Sequence, residues 1–146
     1  MQFMFILFIA EVDSLYKYKC MKTYRCTIWK RQRDGKYAGI CCNYGGEFAD
    51  AGEKLLSSYS DEAALDRLLS LGFLSRLGSS VEECVSYSRD RGELKKAFLG
   101  YTLSQAKTVV SELSPTFRYC WIDGAWRWGL EADSPLLETC VGRVRR

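Results

Sequence analysis

The sequence predicts an α+β domain: a small antiparallel sheet of two β-hairpins, N-terminal and C-terminal, packed on one face against two to three helices. Three observations predict it. Asp34-Gly35 and Asp123-Gly124 each lie between runs that read as strands, a strong short-range signal for a hairpin. Between the hairpins, apolar residues recur at helical spacing behind capping residues. A length of 146 residues suits one domain, which buries roughly two thirds of its unfolded surface without covalent staples.

The first run, Phe3-Met4-Phe5-Ile6-Leu7-Phe8-Ile9-Ala10, is far shorter than the roughly 20 residues of a membrane span. Met1-Gln2 supplies no basic n-region and Glu11 and Asp13 follow at once, against the pattern of a signal peptide. Two readings stand, an edge or buried strand and an upstream extension. Met21-Lys22-Thr23-Tyr24 leads straight into an alternating strand, which favours the second. Residues 1–20 are read as a leader or upstream extension, and residues 21–129 as the single domain.

In residues 23–31, Tyr24, Cys26 and Ile28 alternate with Arg25 and Thr27, and Trp29 breaks the order. Residues 37–42 form the return strand. Asn43-Tyr44-Gly45-Gly46 follows as a turn that calls for positive φ. Residues 51–59 predict a short helix with Asp50 as N-cap. Ser60 caps a second helix with Asp61 and Glu62 in its first turn. Leu65, Leu68, Leu69 and Leu71 make its core stripe and Gly72 ends it. Phe73, Leu74 and Leu77 tuck inward from a loop, and Ser80-x-x-Glu83 is a capping box for a helical turn. Residues 88–93 form a charged surface loop. Thr102-x-x-Gln105 is a second capping box, opening a helix through Leu113 that Pro115 stops. The runs at 117–122 and 125–129 make the last hairpin. The periodicity then fades, and residues 130–146 read as a loosely ordered basic tail.

Composition narrows the chemistry. With no histidine, Ser-His and Cys-His catalysis, paired-His iron sites and imidazole-bearing zinc sites are all excluded. The net charge is +3, below the usual balance of a dedicated nucleic-acid binder, although residues 17–33 carry bases and no acid except at the Asp-bearing turn that follows. Cys20, Cys26, Cys41, Cys42, Cys84, Cys120 and Cys140 are odd in number and show no C-x-x-C spacing. They are read as reduced and buried. No P-loop occurs. Asp90 and Glu93 are near enough in sequence for a magnesium site, but Arg89 and Arg91 stand among them, and Glu93-Leu94-Lys95 is an isolated E-x-K. No catalytic residue, metal or cofactor is assigned. On the last hairpin Tyr119, Trp121, Trp126 and Trp128 interleave with Arg118 and Arg127. One set builds core, and the other is available for stacking a base or docking a protein.

The succession Tyr44-Gly-Gly, Gly52-Glu-Lys-Leu-Leu-Ser-Ser-Tyr59, Leu69-Ser-Leu-Gly-Phe-Leu-Ser-Arg-Leu-Gly78 and Tyr87-Ser-Arg-Asp-Arg-Gly-Glu93 resembles a family of small uncharacterised phage and prophage proteins. The resemblance spans about residues 22–128, and Arg89-Asp90-Arg91-Gly92-Glu93 is its most specific piece. Gly45 stands where that family has Asp, and Glu47-Phe48 where it has Tyr-Pro. The resemblance implies an accessory protein, acting in the cytoplasm of a bacterial host. It would bind and inhibit or modulate a host protein or protein–nucleic-acid complex, such as a CRISPR or restriction component. The expected contacts are Tyr44, Tyr87, Arg89, Asp90, Arg91, Glu93, Trp126 and Arg127. The alternatives are direct nucleic-acid binding and a small metal-dependent nuclease or hydrolase using Asp90 and Glu93.

Overall fold

At the first Asp-Gly turn, Gly35 adopts φ 84° and its N–H donates to Gln32 O at 2.9 Å, a type I turn closed by a left-handed residue. Across it β1 (Cys26–Arg31) and β2 (Tyr37–Tyr44) pair antiparallel, Cys26 opposite Cys42 and Arg31 opposite Tyr37. At the second, Asp123 and Gly124 take φ 50° and 81°, the pair of positive values a two-residue type I′ turn requires. β6 (Phe117–Ile122) and β7 (Ala125–Trp128) pair across that turn. The structure, a computed structural model, describes residues 24–144, so the leader assigned to residues 1–20 lies outside the described residues.

The sheet is larger than these hairpins and it is mixed, which corrects the expectation of a small antiparallel sheet. Its seven strands include β3 (Leu74–Arg76), β4 (Val85–Ser86) and β5 (Phe98–Tyr101), in the order β4-β3-β2-β1-β6-β7, with β5 also on β2. β1 runs parallel to β6, Cys26 beside Phe117 and Lys30 beside Trp121, and β2 runs parallel to β3. A free hairpin has two open edges, and parallel pairing of β1 with β6 closes one edge of each. The outer edge of β2 is shared: β3 takes Cys42 and Tyr44, β5 takes Tyr37 and Gly39.

Helices cover both faces of the sheet, not one. A π-helical turn, Phe48–Gly52, runs into α1 (Glu53–Ser58); α2 (Glu62–Ser70), α3 (Tyr87–Arg91), α4 (Leu103–Leu113) and α5 (Leu137–Val144) follow. Leu55, Leu65, Leu68, Leu137 and Val141 pack into one core with Ile28, Ile40 and Tyr119. Ala106 and Val110 of α4 pack into a second with Trp29, Cys120 and Ile122. Neighbours on β1, Ile28 and Trp29, thus serve opposite faces, and β1 is buried along nearly its whole length.

The caps are partly those expected. Thr102 and Gln105 form the reciprocal capping box of α4. The α2 cap is Asp61, one residue after Ser60, its carboxylate accepting from Ala64 N at 2.8 Å. Asp50 caps nothing; it accepts from Lys54 and Arg76 at 2.7 and 2.5 Å. The segment after Gly129 is ordered against the domain: Leu137 and Val141 are buried, and Trp128 N donates to Pro135 O at 2.8 Å, covering the edge of β7.

Candidate partner-binding surface

Residues 81–93 form a self-bonded turn. Ser86 accepts from Arg89 N at 3.1 Å and caps α3, and Gly92 ends it at φ 69°. The residues expected to form a charged loop therefore include one short helix. Arg89 is its staple: Nη1 donates to Val81 O at 2.7 Å and Nη2 to Cys84 O at 2.6 Å. Its guanidinium also forks onto Asp90, Nε to Oδ1 at 2.8 Å and Nη2 to Oδ2 at 2.9 Å. Asp90 takes a further bond from Ser86 N at 2.8 Å. Arg89 first, and that backbone N–H second, hold its carboxyl down at about 2.

The remaining expected contacts divide. Tyr87 is buried, with its hydroxyl accepting from Asn43 Nδ2 at 2.7 Å. Arg91 and Lys95 lie over its ring at 5.1 and 5.7 Å from the centroid. Arg91 and Glu93 are exposed, and Tyr44 is exposed at the end of β2. Trp126 is core: 3% exposed, its Nε1 donating to Tyr59 O at 3.0 Å. Its surface role is withdrawn, because a tryptophan opposite Trp121 on this face of the hairpin points into the packed layer. Arg127 is half-buried and spends Nη1 on Ser134 O at 2.8 Å. The eight residues are not one surface: α3 follows β4 at one edge of the sheet, and Trp126 and Arg127 sit on β7 at the other.

Beside α3 lies a feature that sequence reasoning missed. Leu94 is 87% exposed and Leu99 72%. They border a groove of about 540 Å³ whose wall includes Ala38, Leu69, Leu71 and Ala97, with Lys96 at its lip. Exposed leucines grouped at a concavity are unusual in a stable chain and mark surfaces for association. The only signal in the sequence was the run Leu94-Lys-Lys-Ala-Phe-Leu99, whose outer leucines look like any core leucines.

Elsewhere, Cys26 hydrogen-bonds the Cys42 thiol across β1 and β2, which lowers Cys42 and raises Cys26. The six thiols among the described residues are free and buried, as expected of them. Burial pushes the Cys41 thiol up to about 11 and Cys120 up to about 12. Lys30 is buried and bonded to Asp66 at 2.8 Å, fastening α2 to β1. Among the described residues no group of three or more Cys, Asp or Glu gathers to hold a metal ion, and no helix is long and apolar enough to cross a membrane. No family model, no curated protein and no solved structure matches this chain.

Proposed function

We propose that this chain is an accessory protein of phage type that acts by binding a host protein, through the face formed by α3 and residues 94–99. The observation that carries the reading is the pair Leu94 and Leu99, both exposed and both lining an apolar groove. A partner's side chains filling that groove would remove both leucines from water, about 25 cal/mol for each Å² of apolar surface covered. Arg91 of α3 supplies contact of the kind favoured at interfaces. The motif likeness to small phage proteins supports a host-directed partner. Photo-crosslinking tests the reading. With p-benzoylphenylalanine at position 94 in the full chain, expressed in a bacterial host, a discrete protein adduct is expected, and none from position 104 on α4. Equal adducts from both positions, or none from position 94, contradict it.

A second reading rests on a separate cleft. Lys107, ion-paired to Glu131, lines a space of about 550 Å³ with Arg118 and Trp128 at the opposite edge of the sheet. Cations beside an indole suit a single-stranded nucleic acid. That binding would weaken steeply with salt. An oligonucleotide titration at low salt that shows no affinity removes this reading.

A further inference from the structure

Cys26 of β1 and Cys42 of β2 stand directly opposite each other in the antiparallel hairpin. Opposed residues of such a pair hold their Cβ atoms about 4.5–5.5 Å apart, and a disulfide joins Cβ atoms about 3.5–4.5 Å apart, so a small movement of the strands closes the gap. Both side chains belong to the same core, with Ile28 and Ile40, and both are wholly buried. They are already in contact. The Cys26 thiol donates to the Cys42 sulfur, which favours the thiolate at Cys42 and disfavours it at Cys26. Cys42 in turn donates to Tyr44 O at 3.3 Å. Other thiols are not so placed. Cys41 lies opposite Thr27 and, one residue along the strand, faces the other side of the sheet. Cys84 accepts from Gly78 N at 3.2 Å and lies 3.7 Å from the Tyr59 hydroxyl. Cys120 belongs to the second core.

We infer that Cys26 and Cys42 are a redox-responsive pair, which a hydroperoxide closes into a cross-strand disulfide that clasps β1 to β2. The clasp is independent of the docking reading. The Cys42 sulfur, as thiolate, attacks the peroxide: an S–O bond forms, the O–O bond breaks, and the departing hydroxide takes up a proton as water. The Cys26 sulfur then attacks the sulfenic sulfur: the S–S bond forms, the S–O bond breaks, and a second water leaves. Two thiols lose two electrons in all, and one peroxide is reduced to two waters. The oxidant reaches the pair at the turn that follows β2. Gly46, with no side chain, packs directly on Cys26, where an added Cβ would stand 2.8 Å from the Cys26 Cβ. A hydroperoxide is little larger than water and passes where a bulky thiol reagent does not. Closure also has a consequence for the fold. β1 and β2 lie at the centre of the sheet, with β6 on one side and β3 and β5 on the other. A bond between them restricts the unfolded chain and so favours the folded one.

Peptide mapping of the full chain tests the clasp. The folded chain is treated with hydrogen peroxide, the remaining thiols are alkylated in denaturant, and the unreduced digest is read by mass spectrometry. The peptide bearing Cys26 should appear joined to the peptide bearing Cys42, with the loss of two hydrogens. Fragmentation between Cys41 and Cys42 places the bond in the natural sequence, so the result does not depend on any variant folding. The join should persist in Cys41→Ser and in Cys20→Ser, and vanish in Cys26→Ser and in Cys42→Ser. The oxidised chain should unfold at higher urea than the reduced chain, and dithiothreitol should restore the original midpoint. Several results overturn the proposal: a bond to Cys41 or Cys84 instead; a bond that forms only in urea, where the register of β1 on β2 is gone; oxygen added to a thiol with no peptides joined; or a urea midpoint that closure leaves unchanged or lowers. A folded chain that keeps all its thiols under peroxide overturns it as well.

Discussion

Arg89 and Arg91 are two residues apart and do different work. Arg89 closes a turn on two carbonyls and a carboxylate, whereas Arg91 lies on the Tyr87 ring and faces water. Arg89→Ala should cost about 1–2 kcal/mol through its lost carbonyl bonds. Arg91→Ala should change stability by less than about 0.5 kcal/mol. Urea unfolding separates the two. Asp90 adds a pH signature. Its carboxyl sits at about 2 when folded, below the ordinary value of about 3.9. Its stabilisation is complete above that ordinary value and is lost as pH falls toward 2. Asp90→Asn should therefore flatten the acid limb of stability over that window, read by unfolding at stepped pH. The Cys41 and Cys120 thiols have the opposite sign. Burial raises Cys41 to about 11 and Cys120 to about 12, so the neutral thiol is the folded form. In a Cys20→Ser chain at pH 8, a thiol reagent should find none of the remaining six before unfolding; prompt labelling of any one contradicts their burial.

At the scale of the element, the central hairpin depends on one close approach. Gly39 faces Trp29 across β1 and β2, and a Cβ there would stand 2.2 Å from the indole. Trp29 is wholly buried and stacks on Phe98 of β5, so it has no room to yield. Gly39→Ala should cost about 1–3 kcal/mol by overpacking, measured by chemical unfolding, while Gly39→Ala in a Trp29→Phe background should cost less. Both hairpins and α4 were legible in the sequence, because Asp-Gly turns and the Thr102–Gln105 box act within a few residues. The parallel pairing of β1 with β6 was not, since Cys26 and Phe117 meet across the length of the domain and no local pattern encodes the partner. α3 escaped notice for another reason: five residues hold too little periodicity to outweigh their charge.

At the scale of the whole molecule, the chain after Gly129 closes the structure. Leu137 and Val141 lie against Gly52 and share the core of α1 and α2. Leu137→Ala should cost about 2–5 kcal/mol, as a core leucine does and a residue of a loose tail would not. The fading periodicity hid this, because a single turn of apolar contacts suffices to dock an eight-residue helix. The candidate site was half legible. The charges of Arg91 and its neighbours stand out in sequence, but an exposed Leu94 reads like the buried Leu65 until burial is known. Trp126 shows the converse error, an aromatic taken for surface that belongs to the core. The central claim is that one face, beside α3, receives a partner. Hydrogen exchange of the full chain, free and with the protein captured from position 94 added, tests it most directly and should show slowing confined to residues 69–72 and 94–99, with α4 unchanged. Slowing centred instead on Lys107, Arg118 and Trp128, or none at residues 94–99, would contradict it.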